Sequence, residues 1–231
     1  MIALAIFAAV ALLVVLQPAA LVRLLARAFP GMLWQVNTQE PVVALTFDDG
    51  PHAVYTPRVL EILARHNIHA TFFLVGENAR RHPELVAQIR RVGHEVGNHT
   101  GTMATTFFLP TEKFENDLLR AEATLGLENS RPKFFRPAGG WVRPAQLRRA
   151  KAHGYTCVLG SAYAYDPYRP PTAYVRWAIA KNLRPGVIVV LHDSGGNRSN
   201  TVAALEGILA AARTRGLRWV TLSELVAAAK N

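Results

Sequence analysis

Carboxylate, imidazole and guanidinium side chains recur in this chain just after short apolar runs. Asp48-Asp49-Gly50-Pro51-His52 follows residues 42–47, and His99-Thr100-Gly101-Thr102 follows 94–98. Arg136-Pro137 follows 133–135, Asp166 lies beyond 156–159, and His192-Asp193 follows 187–191. These residue types can carry chemistry when several of them converge. Singly, each run has an ordinary reading: Asp-Asp-Gly-Pro is a good turn and Asp-Ser-Gly-Gly a good loop. Together they do chemistry only if a fold gathers the ends of these runs on one rim.

The pattern between the runs predicts such a fold. Apolar runs at 42–47, 70–75, 94–98, 133–135, 156–159, 187–191 and 218–222 read as strands. Amphipathic stretches at 56–66, 83–92, 111–125, 144–153, 172–182 and 201–214 read as helices, with a short last helix over 224–230. Alternation of this kind argues for an α/β fold with a parallel sheet. Seven units in about 200 residues fit a reduced (β/α) barrel, since a full eight-unit barrel takes about 250. A doubly wound open sheet is the alternative. In a barrel the carboxyl ends of the strands carry the active site, and the polar runs lie there. Pro57 and Pro144 suit first helical turns, and Thr56 and Thr201 suit caps. Gly93, Gly126, Gly154 and Gly216 suit helix ends. No dinucleotide fingerprint or phosphate-binding loop follows the first strand.

Half of the 231 residues are hydrophobic and the formal net charge is +10. That excludes a disordered chain. The lone Cys157 excludes an intrachain disulfide framework and a cysteine-based zinc ribbon, and its apolar neighbours suggest a packed thiol. No charged residue occurs before Arg23, and residues 1–16 are almost wholly Ala, Leu, Ile, Val and Phe. Residues 1–28 therefore read as a signal anchor or a signal peptide, 29–40 as a linker and 41–231 as the folded domain. Taken literally, Arg23 and Arg27 would keep the domain in the cytoplasm, although long domains often override that rule. Arginine outnumbers lysine 21 to 5, so the basic balance reads as compositional. The cluster Arg148-Arg149-Lys151 lacks interleaved aromatics, which argues against a nucleic-acid partner.

Thr46-Phe47-Asp48-Asp49-Gly50-Pro51-His52 resembles the first motif of the polysaccharide deacetylase family, the NodB-like domains of carbohydrate esterase family four. Gly93-His94-Glu95-Val96-Gly97-Asn98-His99-Thr100 resembles its second motif, Arg136-Pro137 its third and Leu191-His192-Asp193 its fifth. The resemblance runs from about Pro41 to the C-terminus. It implies a distorted seven-unit barrel and metal-assisted removal of acetyl groups from N-acetylated polysaccharide of peptidoglycan or chitin type. It also implies roles. Asp48 is the general base, oriented by Arg136, and His192 is the general acid, supported by Asp166. Asp49 and His99 are ligands of a divalent metal, most simply zinc. The Gly139 amide is an oxyanion donor, and Trp141 or Tyr168 fills a cleft wall opened by Ala138 and Gly139. His52 and His94 are structural.

One departure bears on the chemistry. The family's second motif has two histidines four residues apart, and here Met103 stands where the second belongs. A thioether is a poor ligand for zinc. The alternative to a working hydrolase is thus a saccharide-binding relative that has lost its metal. Retention of Asp48, Asp49, Arg136, Asp166 and His192 favours the hydrolase. A glycan substrate also favours export of the domain to the periplasm or cell envelope, against the literal charge rule.

Overall fold

The computed structural model describes residues 15–230. At its centre lies β2 (Val42–Asp48), all seven residues of which are buried. A strand covered on both faces has no reason to alternate apolar with polar positions, which is why Val-Val-Ala-Leu-Thr-Phe reads as one continuous run. Strand β2 pairs in parallel with β3 (Thr71–Leu74) on one side and β8 (Ile188–His192) on the other, while β9 (Arg218–Val220) pairs with its first half. From β3 the sheet continues through β4 (Glu95–Asn98), β5 (Lys133–Phe135), β6 (Tyr155–Val158) and β1 (Met32–Leu33); beyond β8 lies β7 (Ala162–Tyr163). All these pairs are parallel, and an antiparallel bridge between Gln35 and Val187 ties the curl together. The result is a curled, parallel half-barrel of the α/β class expected, with nine strands among the described residues rather than the seven of the expected barrel.

The outer layer is helical: α2 (Tyr55–Arg65), α3 (Gly76–Arg81), α4 (Pro83–Arg91), α5 (Thr111–Leu125), α6 (Pro144–Ala152), α7 (Thr172–Ala180), α8 (Ser199–Arg213) and α9 (Leu222–Ala227). Their apolar stripes meet the sheet in a core that includes Leu45, Phe47, Leu63, Phe72, Val175 and Leu205. Phe47 and Phe72 stack with ring centroids 5.1 Å apart. Burying each such side chain contributes about 1.5–3 kcal/mol. Gly126 ends α5 in the left-handed region at φ +60°, where the missing Cβ removes the steric cost.

Two strands and a helix escape the periodicity. Strands β1 and β7 have two residues each, too few for a period to register, and α3 is built from the polar run Gly76-Glu77-Asn78-Ala79-Arg80-Arg81. Segment 29–40, expected to be a linker, thus carries a strand together with the buried Trp34 and Val36. The N-terminal expectation is also revised in part. Residues 1–14 lie outside the described residues. Helix α1 (Ala19–Ala28) begins after a break at Gln17, whose φ is +45°. It packs on the domain through Val22, against Trp34 and Leu159. The Gln17 amide bonds both the N–H and the carbonyl of Tyr163, each at 2.8 Å. Among the described residues no helix is long and apolar enough to cross a membrane. Cys157 is buried and free, and burial pushes its thiol well above the ordinary range.

Gly186 marks the tightest backbone approach in the barrel wall. Its N–H donates to the Val42 carbonyl and its carbonyl accepts from Val36 N–H. Its φ is +81°, and a Cβ there would lie 1.8 Å from the Val36 carbonyl oxygen. Gly186→Ala is therefore expected to lower stability by more than the roughly 1–2 kcal/mol of a left-handed alanine alone, read as a fall in urea midpoint.

Candidate active site

The register of the sheet assembles the site. Asp48 and His192, the last residues of β2 and β8, are paired neighbours. Asn98 pairs with Phe135, which sets His99 beside Arg136 at the ends of β4 and β5. Four of the residues expected from sequence are thus neighbours because parallel strands end together.

Asp48 is buried and ion-paired: Arg136 Nη1 donates to its Oδ1 at 2.5 Å. The same Nη1 lies 2.8 Å from Thr46 Oγ1, Arg136 Nε donates to the Val158 carbonyl, and the guanidinium carbon sits 4.1 Å from the Phe73 ring centroid. An arginine held at so many points cannot swing, so it fixes the direction of the Asp48 carboxylate. Asp49, next in the chain, turns away because its backbone is left-handed at φ +72°. Asn78 Nδ2 on α3 donates to the Asp49 carbonyl at 2.8 Å. The adjacent carboxylates therefore face different partners.

The partner of Asp49 is His99, with Nε2 3.2 Å from Oδ1. His99 Nδ1 lies 2.8 Å from the Arg136 carbonyl, which can only accept, so Nδ1 carries a proton. A neutral His99 then presents the bare Nε2 lone pair to a carboxylate oxygen. Two acceptors at that distance need a cation between them, a proton or a metal ion. Burial pushes the Asp49 carboxyl up, but the hydrogen bond and charge of His99, with the charges of His192 and Arg198, outweigh it and hold it below the usual range. The donor pair fits one edge of a divalent cation site. Among the described residues no cluster of three His, Cys, Asp or Glu completes it. Met103 is 48% exposed, in a run of bends rather than on a helical turn, and adds no strong ligand. A metal here would complete its shell with water or substrate oxygen.

His192 is held by Asp166 alone among carboxylates. Its Nδ1 lies 2.9 Å from Asp166 Oδ1, and its backbone N–H donates to Oδ2 at 2.9 Å. Burial disfavours the imidazolium, yet the charge and hydrogen bond of Asp166, then the charges of Asp48 and Asp49, raise its pKa to about 9. Gly139, at φ +77°, is exposed; a Cβ there would meet Thr105 Cγ2 at 2.7 Å. Trp141 is half-exposed, and with Thr105, Phe107, Phe108 and Gly139 it lines an open apolar hollow of about 410 Å³. Tyr168 is exposed. His94 and His52 do act structurally: His94 Nδ1 accepts from Ala70 N–H, and His52 Nδ1 from Val54 N–H at the start of α2.

Several site residues escaped the sequence reading. Thr56 and Thr201, expected as caps, instead serve carboxylates: Thr56 Oγ1 donates to Asp193 Oδ2 at 2.5 Å, and Thr201 Oγ1 to Asp166 Oδ2 at 3.0 Å. Burial pushes Asp193 up to about 7, despite the Thr56 hydrogen bond. Arg198 is buried, and its donors reach the carbonyls of Ser194, Gly195, Asp166 and Pro167. Nothing in Asn-Arg-Ser-Asn distinguishes it from a surface arginine.

Residues 35–158 match the family model described as polysaccharide deacetylase. The chain belongs to the polysaccharide deacetylase family. It is 41% identical over 196 residues to a peptidoglycan-N-acetylglucosamine deacetylase of Bacillus cereus, covering 84% of this chain and 92% of the relative. It is 35% identical to a chitooligosaccharide deacetylase of Sinorhizobium fredii, covering 78% and 89%. Among solved structures, the Bc1960 peptidoglycan N-acetylglucosamine deacetylase superposes with a TM-score of 0.80 at 33% identity, over 84% of this chain and 92% of that one. A mutant of BA3943, a CE4 family pseudoenzyme with restored enzymatic activity, superposes at 0.77 and 26% identity, over 84% and 71%.

The Met103 position offers a direct test of the ligand geometry. Met103→His is expected to tighten zinc binding at least about tenfold, or 1.4 kcal/mol, in competition with a chromogenic chelator. Unchanged affinity would show that residue 103 does not reach the Asp49–His99 edge.

Proposed function

We propose that this polysaccharide deacetylase hydrolyses the acetamide of an N-acetylated glycan of peptidoglycan or chitin type, assisted by a divalent metal held by Asp49 and His99. The observation that carries the reading is the paired ending of β2 and β8. It sets a carboxylate fixed by Arg136 beside an imidazole fixed by Asp166, two proton-transfer groups held independently on one rim. When bound, the metal would polarise the acetyl carbonyl and acidify water. Asp48 accepts the proton of the attacking water, and Arg136 keeps its carboxylate aimed. His192, engaged at Nδ1, has Nε2 to protonate the departing amine. The Gly139 N–H suits stabilisation of the oxyanion, and Trp141 provides an apolar wall beside it. Similarity to peptidoglycan deacetylases supports an extracytoplasmic domain, with the expected signal anchor or signal peptide of residues 1–28 as its route there.

The rival is a saccharide-binding relative without turnover, favoured by one observation, the exposed thioether at position 103. Acetate release decides between them. The full chain, loaded in turn with zinc, cobalt or nickel, should release acetate from chitooligosaccharide or peptidoglycan fragments. Glycan binding without acetate under every metal would establish the rival.

Two further outcomes test the assigned roles. Asp48→Asn should lower kcat at least about a hundredfold, the usual scale of general-base catalysis, with bound zinc unchanged by metal analysis. The raised pKa of His192 makes its acid form the active one at neutral pH, so activity should hold below and fall as pH rises through about 9. Asp166→Asn should move that alkaline limb down towards the ordinary imidazole value near 6.5.

A further inference from the structure

Exposed apolar side chains run from helix α1 to the hollow that holds Gly139 and Trp141. Helix α1 turns Ala20, Arg23, Leu24, Arg27 and Ala28 outward, and Leu24 is 62% exposed. At the C-terminal end of α1, the Phe29 ring lies 5.6 Å from Trp141. Trp141 continues into the hollow shared with Phe107 and Phe108, and Phe108 is 80% exposed. Before α1, Val15 and Leu16 are exposed, and Lys181 Nζ donates to both their carbonyls. Its ammonium rests 4.5 Å from the half-exposed Trp177 ring.

Two facts say what covers this flank. First, the chain enters it at Val15 directly from residues 1–14, Met-Ile-Ala-Leu-Ala-Ile-Phe-Ala-Ala-Val-Ala-Leu-Leu-Val, which carry no charged or polar side chain. Secondly, no acidic residue precedes Glu40, and the cations named on the flank are Arg23, Arg27 and Lys181. Aromatic rings, outward leucine, basic residues and an apolar leader meeting at one surface suit the boundary between anionic headgroups and acyl chains. A globular protein partner would account for the aromatic patch but not for the leader arriving at the same flank.

We infer that this flank docks on an anionic lipid surface. Helix α1 lies in the headgroup plane, and Leu24, Phe29, Phe107 and Phe108 form a shallow apolar anchor. Because Gly139 belongs to the same hollow, the mouth of the site is then held against the membrane. The consequence, which rests on the deacetylase reading, is a substrate presented at the membrane surface: nascent or lipid-carried N-acetylated glycan rather than distant mature polymer.

The buried, suppressed thiol of Cys157 makes single-site labelling practical. The full chain carrying Phe108→Cys or, on the far side at the end of α4, Val92→Cys would be labelled with an environment-sensitive nitrobenzoxadiazole dye. Each protein is then mixed with phosphatidylglycerol–phosphatidylcholine vesicles with or without a shallow spin-labelled lipid. Thermal melts like that of the unlabelled chain show that the labelled domain is folded. The label at 108 should blue-shift on vesicles and be quenched by the spin label, while the label at 92 should do neither. A label at 108 that stays water-like while the protein floats with the vesicles would overturn the docking surface. So would one that answers to chitooligosaccharide and not to lipid. The acetate assay on soluble oligosaccharide is separate, so loss of the docking reading and loss of the catalytic reading are told apart.

Discussion

The buried ion pair between Arg136 and Asp48 sets the terms for the rest of the site. Removing both charges from water costs several kcal/mol per ion, repaid only when geometry and remaining hydrogen bonds are good. The structure supplies the geometry and most of the hydrogen bonds, although Arg136 Nη2 is buried with no hydrogen-bond partner among the described residues. Arg136 reaches Asp48, Thr46 and the Val158 carbonyl, and Phe73 lies under its plane. These partners sit on or after β2, β6 and β3, so the barrel must curl correctly before the pair can close. The main chain of Arg136 contributes as well, since its carbonyl fixes the His99 ring. One residue thereby holds Asp48 with its side chain and His99 with its backbone.

The acid side is built on a separate frame. Asp166 is held by His192, by the His192 backbone N–H and by Thr201. Its loop is clamped by Arg198, a buried cation whose side-chain hydrogen bonds go to main-chain carbonyls of this loop and the 194–195 loop. A guanidinium bonded to carbonyls keeps its full charge, and that charge helps hold Asp49 ionised. The two frames meet through the neighbouring strands β2 and β8 and through charge, since Asp48 and Asp49 both help to raise the pKa of His192.

Much of this was legible in sequence, for physical reasons that also mark where legibility stops. Helix α5 was readable from its long helical period, and strand β2 from a short continuous apolar run bounded by Pro41 and the Asp-Asp-Gly-Pro turn. Strands β1 and β7 were not, having two residues each, and α3 shows no apolar stripe. Asp48, His99, Arg136 and His192 were readable because several polar runs follow apolar strands at corresponding ends and together match one family's motifs, although each run alone passes for a turn. Thr56, Thr201 and Arg198 were not. A threonine at a helix start has a sufficient local explanation as a cap, and only the fold reveals that its hydroxyl faces a carboxylate from elsewhere in the chain. Segment 29–40 failed for a related reason: Trp34 and Val36 are too few to make a pattern, yet both are buried.

The His99 ring shows how far geometry can go at the missing ligand. With Nδ1 committed to a carbonyl, the only freedom left to His99 is what stands between Nε2 and Asp49. A third imidazole would make that edge a closed metal site. With Met103 exposed, Asp49 and His99 stand 3.2 Å apart with no third His, Cys, Asp or Glu grouped with them among the described residues. The side chains of Asp48, Arg136, His192 and Asp166 make their hydrogen bonds without Met103, so on the proposed reading a change at position 103 bears on the metal edge and leaves these contacts in place.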